Sequence, residues 1–151
     1  MIFVTVGTDR FEELVKAIDK NAPEVKEKIV IQIGKGKYKP KNCEYFDFVP
    51  KIDSYYKNAR LIITHGGAGT IFKLLSRGKK IIGISNPHKP DEHQKEILKV
   101  LSEDNYLIWC KDLKNILKLI KNINKIRLKK YEQPNCYIHK IIEEKIDDWF
   151  K

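Results

Sequence analysis

The sequence predicts an α/β fold, a parallel sheet of about six strands with helices on both faces. Three observations carry that expectation. Short apolar runs alternate along the chain with stretches whose apolar residues recur at helical spacing. Glycine or proline punctuates the junctions between them. No internal repeat and no interdomain linker breaks the alternation, so residues 1–151 are expected to form a single domain.

Ile2 to Val6 reads as the first strand, ending in a Gly7-Thr8-Asp9 turn. Thr8 or Asp9 is placed to cap the helix that follows. Phe11, Leu14, Val15 and Ile18 share one face of that helix, and Asn21-Ala22-Pro23 ends it. Lys28 to Ile33 is the second strand, stopped by Gly34-Lys35-Gly36, and Glu44 to Val49 the third. Ile52, Tyr55 and Tyr56 sit on a brief helix before a buried strand at Leu61-Ile62-Ile63-Thr64. The loop His65-Gly66-Gly67-Ala68-Gly69-Thr70 leads into a helix from Ile71 to Arg77, closed by Gly78. Lys80 to Ile84 is the next strand, followed by a polar loop ending in His93-Gln94. Glu92 to Leu101 reads as a helix, and Tyr106 to Trp109 as the last strand. Leu113, Ile116, Leu117 and Ile120 form an amphipathic helix opposite a lysine face. Residues 124–134 are expected to be irregular, and 136–150 to form a terminal helix within the segment 135–151. Its apolar face fits either this domain's own sheet or a partner.

Composition bounds the function. A hydrophobic content of 42% fits a globular chain, and no apolar run approaches the ~20 residues of a membrane span. Met1-Ile2-Phe3-Val4 enters a strand at once, without the pattern of a signal peptide, which makes the cytoplasm the expected compartment. Cys43, Cys110 and Cys136 are scattered, against a zinc site and a disulfide framework. The net charge is +10, concentrated in two places. Residues 111–130 hold eight Lys/Arg against the single acid Asp112, and Lys35, Lys37, Lys39 and Lys41 cluster without an acid. Such clusters suit an anionic partner or are plain solvated surface. No RNA-binding signature or zinc finger accompanies them, so nucleic acid is not the expected partner.

Residues 60–94 carry the chemistry. A glycine loop lets a ligand approach the backbone, and the N–H groups of the helix start favour an anion such as phosphate. The dinucleotide pattern G-x-G-x-x-G fails, because Phe72 stands where a glycine is needed. A Walker A motif is absent: Gly78-Lys79 precedes Lys80, and Gly36-Lys37 precedes Tyr38. His65 at the strand end suits either a phosphate oxygen or a local polar partner. Thr70 suits either a helix cap or phosphate. His93 and Gln94 suit sugar hydroxyls, or are simply an exposed helix start. Their loop leaves the same sheet edge one strand later, where α/β ligands bind. His88, Asp91 and His93 do not have the spacing of a metal-ligand pattern, so metal is expected to be none.

HGGAGT, then GKKIIGI, then DEHQ resembles the glycosyltransferase family 28 C-terminal domain, the Rossmann-like donor-binding half of a GT-B fold. The opening IFVTVGTDRFEELVKAID is similar to the start of the small catalytic subunits of two-component glycosyltransferases of the PssE/EpsF type, and IVIQIGKGKYKP matches their second strand and loop. The resemblance covers about residues 1–110. It implies a single half of a GT-B enzyme that uses a UDP-sugar as substrate, with no cofactor and no metal. Gly7 and Thr8, with His65, Gly66, Gly67, Gly69 and Thr70, would bind the donor diphosphate, and His93 and Gln94 the donor sugar. The ribose-region position that is often Glu or Asp in the family is Lys73 here, which puts that contact in doubt. The implied partner is a membrane-associated acceptor-binding subunit. It would present a polyprenyl-diphosphate-linked acceptor and hold this chain peripherally at the inner membrane face. A non-catalytic nucleotide-binding or regulatory domain of the same fold is the alternative, and a nucleic-acid-binding domain a weaker one.

Overall fold

The computed structural model describes residues 1–89 and 92–132. The expected terminal helix at 136–150, and Pro90 and Asp91, lie outside the described residues. Six strands form one sheet: β1 (Ile2–Thr5), β2 (Ile29–Gln32), β3 (Glu44–Phe46), β4 (Leu61–His65), β5 (Lys80–Ile84) and β6 (Ile108–Trp109). Their order is β3-β2-β1-β4-β5-β6, and each neighbouring pair is parallel. The Rossmann-like α/β expectation holds in class, strand number and direction.

Successive side chains of a strand point to opposite faces, so a strand covered on both sides is apolar throughout. β1 and β4 show this directly. Ile2, Val4, Leu61 and Ile63 belong to a core with Leu14, Val15 and Ile18 of α1 (Glu12–Asn21) and with Ile116 and Ile120 of α5 (Ile116–Asn122). Phe3 and Ile62, one residue on, belong to the opposite core with Tyr56 of α2 (Asp53–Asn58). Ile71 and Leu74 of α3 (Ala68–Ser76) and Leu98 and Leu101 of α4 (His93–Glu103) complete that face.

Several boundaries differ from expectation, each for a local reason. The α3 helix begins at Ala68, three residues early, because Gly67 takes the cap position and accepts from Ile71 N. Thr70 is therefore inside the first turn and not a cap. Neither Thr8 nor Asp9 caps α1, whose first residue follows Phe11 without a side-chain cap bond. β3 stops at Phe46, and Phe48 beyond it is 64% exposed. β6 is only two residues long. Asn105, at φ 61, turns the chain sharply after α4, and Tyr106 N closes onto Leu101 O.

The basic loop after β2 is pinned by a residue with no obvious sequence signal. Asp19, 2% exposed on α1, accepts from the Tyr38 hydroxyl at 2.7 Å, Lys41 N at 3.0 Å and Asn42 N at 2.7 Å. Burial alone would push its carboxyl up. The Lys41 amide, the Tyr38 hydroxyl and the Asn42 amide together hold it below its ordinary 3.8.

Candidate functional site

The carboxyl ends of β1, β4 and β5 release three loops at one edge of the sheet, beside the β1–β4 junction where the strand order reverses. Ligands of open α/β sheets bind at such a junction. From β4, His65 leads into Gly66-Gly67 and the N-terminus of α3. The first residues of α3 have no intrahelical acceptors for their N–H groups, which is the physical basis of anion binding there. A cavity of about 480 Å³ opens at this point. It is lined by His65 to Ala68 on one side and by Lys89 and the start of α4 on the other, including His93 and Gln94.

His65 is the buried pivot of the site. It is 8% exposed, and its Nε2 lies 3.6 Å from Asp9 Oδ2. A Cβ on Gly67 would fall 2.9 Å from Nε2, and one on Gly7 would fall 3.3 Å from Cε1. Both glycines therefore let backbone lie directly against the imidazole. Burial pushes the imidazole below its ordinary 6.5, against the pull of Asp9, and the Lys89 charge pushes the same way as burial. Burial thus favours the uncharged ring, in which one nitrogen is a donor.

Gly66 is packed for a different reason. A Cβ there would meet Gln94 Cβ and Gln94 O, both at 2.9 Å, so this glycine lets the start of α4 dock on the loop. Gln94 is 6% exposed, and its Oε1 accepts from Asn86 N at 3.2 Å. His93 beside it is exposed and lies 3.4 Å from Glu96. Of the two sugar-contact candidates, one is thus buried framework at the cavity wall and the other faces out. Gly69 and Thr70 occupy the first turn of α3, with open space around the position a Gly69 Cβ would take. Gly7 turns at φ +64 after β1, and Thr8 next to it is exposed.

Lys73 stands apart from the loop. It lies in the last turn of α3, so its charge suits the helix dipole. Its Nζ is 3.1 Å from Asp53 Oδ1 and 5.6 Å from the centre of the Tyr56 ring, both on α2. Among the described residues no group of three or more His, Cys, Asp or Glu could hold a metal ion. No helix among them is long and apolar enough to cross a membrane. A separate groove of about 450 Å³ includes Lys80 at the opposite, amino-terminal edge of the sheet and is lined with lysines. It contains none of the predicted site residues.

The sequence reading missed Asn86, Asp9 and Lys89. Asn86, 4% exposed, donates through Nδ2 to Arg10 O at 3.0 Å and accepts from His88 N at 3.0 Å. It thereby ties the loop after β5 to the loop after β1, and the His88–Glu13 contact at 2.7 Å ties the same loop to the first turn of α1. The usable signal was position: an Asn-Pro turn two residues past a buried strand lies at the ligand edge of a parallel sheet.

The chain is similar to known proteins in family and fold. Residues 1–147 match the Glycosyltransferase family 28 C-terminal domain. The chain is 30% identical over 124 residues to the human "UDP-N-acetylglucosamine transferase subunit ALG13", a match covering 72% of this chain and 11% of that protein. It is 33% identical over 123 residues to a Rickettsia typhi protein, "UDP-N-acetylglucosamine--N-acetylmuramyl-(pentapeptide) pyrophosphoryl-undecaprenol N-acetylglucosamine transferase", covering 73% of this chain and 32% of the relative. The chain thus spans a third or less of these relatives. The NMR solution structure of ALG13 superposes with a TM-score of 0.62 at 20% identity, covering 89% of this chain and 90% of that one, which speaks for the fold. Its Rossmann-like sheet has the fold of one half of the GT-B glycosyltransferase structures, and the chain belongs to the glycosyltransferase family 28 C-terminal domains.

Proposed function

We propose that this chain is the donor-binding, catalytic subunit of a two-component glycosyltransferase. It moves a hexosyl group from a UDP-sugar to a lipid-linked acceptor in polysaccharide or glycan synthesis. The observation that carries the reading is the glycine loop, stacked against His65 at the N-terminus of α3 and faced by the start of α4 across one cavity. The human relative's name, a UDP-N-acetylglucosamine transferase subunit, supports both the donor class and the need for a second component. The bacterial relative's name supports an acceptor on a polyprenyl diphosphate.

In this reading the diphosphate lies over Gly66, Gly67, Gly69 and Thr70, with Gly7 and Thr8 on its other side. Negative charge grows on the departing UDP as the glycosidic bond breaks. The α3 N–H groups are fixed in place before that happens, so they stabilise the transition state more than the ground state. A neutral His65 contributes one further hydrogen bond. His93 and Gln94 border the space for the donor sugar. The general base for the acceptor hydroxyl belongs to the partner, which also holds this chain at the membrane. No cofactor or metal is assigned to the site.

The test has two stages. Calorimetric titration of the chain with UDP and UDP-N-acetylglucosamine is expected to give binding. Transfer to a polyprenyl-diphosphate-linked sugar is expected only after the chain is joined to the subunit that co-purifies with it from its host. Efficient transfer by the chain alone would overturn the two-component reading. Nucleotide binding without transfer by the assembled pair would favour a regulatory domain.

A further inference from the structure

Lys89 forms part of the wall of the glycine-loop cavity, in the loop after β5. That loop is held in place. Asn86 bonds Arg10 O, His88 pairs with Glu13, and Lys89 N donates to Asn86 O at 3.2 Å. The Lys89 ammonium lies 2.8 Å from Asp9 Oδ2, and the same oxygen is 3.6 Å from His65 Nε2. One carboxylate oxygen thus sits between an ammonium and an imidazole at the edge of the cavity. The Asp9 carboxylate makes no cap bond to α1. An oxygen anion held between a cation and a ring nitrogen marks a place where a phosphate oxygen is also stable.

We propose that Lys89 binds the donor diphosphate, and that Asp9 is the internal anion the diphosphate displaces from it. The inference rests on the donor-site reading above and adds to it a cation and a competitor. A diphosphate offers more charge than one carboxylate. Lysine carries its charge on a flexible four-carbon stem, and the Lys89 side chain is 43% exposed, so it can turn from Asp9 to a ligand without moving the backbone. Asp9 then lowers affinity in two ways. It neutralises Lys89 beforehand, and it stays near the bound anion as a like charge.

The experiment is calorimetry on the full chain with UDP, ligand-observed NMR with uridine, and calorimetry with inorganic pyrophosphate as a second anion. Lys89→Met is expected to weaken UDP about tenfold and leave uridine unchanged, because uridine carries no phosphate. Lys89→Arg is expected to stay within about threefold of the native chain. Asp9→Asn is expected to tighten UDP about three- to tenfold. If Asp9→Asn and Lys89→Met weaken UDP alike, the pair is only a loop tie and the proposal fails. It also fails if Lys89→Met weakens uridine as much as UDP. A native chain that binds no UDP refutes the donor reading instead. Pyrophosphate binding that Lys89→Met abolishes would then still uphold the anion position, and no pyrophosphate binding would overturn it.

Discussion

Gly67 stands so close to His65 that a Cβ on it would fall 2.9 Å from the imidazole Nε2. The ring cannot retreat easily, since Gly7 backs it at Cε1 and it is almost fully buried. Gly67 itself has ordinary backbone angles, φ −68 and ψ 117, which alanine adopts without strain. Gly67→Ala should therefore fold, displace the ring and weaken UDP at least about tenfold. Gly69→Ala is the informative contrast. Its Cβ would meet nothing within 4 Å, and alanine in the first turn of α3 is worth up to about 1 kcal/mol over glycine. A variant that melts higher yet binds UDP more weakly would locate a ligand against the Gly69 backbone. Thermal melts and calorimetry on both variants read this out.

His65 predicts a pH signature. Burial holds its folded pKa below the unfolded 6.5, so the unfolded chain takes up a proton first as pH falls. The stability tied to the neutral ring is present above pH 6.5 and is lost as pH drops toward the folded value. One such group contributes a slope of at most about 1.4 kcal/mol per pH unit. A bound diphosphate favours the imidazolium and should move the pKa back up. Titration of the histidine ring resonances with and without UDP-N-acetylglucosamine measures that shift directly. A pKa unchanged by nucleotide would separate His65 from the diphosphate.

Asp19 governs the loop after β2. Asp19→Asn can keep its amide oxygen at the Oδ1 place for the Lys41 and Asn42 N–H groups, but it loses the charge and puts an NH₂ where Oδ2 accepted from the Tyr38 hydroxyl and Lys41 N. The expected cost is about 2–3 kcal/mol, read as a lower urea midpoint at unchanged slope. Its depressed pKa sets a second sign. The stability from Asp19 is present above its ordinary 3.8 and is lost as pH falls through the lower folded value. The variant should show a flatter acid limb than the native chain, and an identical limb would remove Asp19 from acid unfolding.

These three positions also show what was legible in the sequence. The sheet was, because strands covered on both faces leave uninterrupted apolar runs such as Leu61-Ile62-Ile63, and two-sided burial needs no tertiary knowledge to read. The glycine loop was, because glycines between a strand and a helix have a local purpose. The helix start was misplaced, since Gly67 as a cap depends on backbone angles that the composition of the loop does not fix. Asn86, Asp9 and Lys89 were not legible as a set. Asp9 and Lys89 lie eighty residues apart, and only the return of β4 beside β1 and of β5 beside β4 brings their loops together. Asp19 was hidden for the same reason, its partners being backbone amides over twenty residues away.

Lys73 is the position where family resemblance and structure pull apart most. The family resemblance implies a carboxylate there for ribose hydroxyls, whereas this lysine pairs with Asp53 and lies over Tyr56. Both partners of the ion pair are exposed, so solvent screens it and it stabilises the fold little, and Arg77 remains to pair with Asp53. Lys73→Glu should therefore change the melting temperature little. Turned toward a ribose, a glutamate accepts from two hydroxyls where lysine accepts none. The expected result is tighter binding of UDP by about two- to fivefold. Uridine separates the causes. A ribose contact tightens uridine and UDP together, whereas an effect of charge appears with UDP alone and in the opposite direction. Equal affinities in the native and substituted chains, for both ligands, would take Lys73 out of the site.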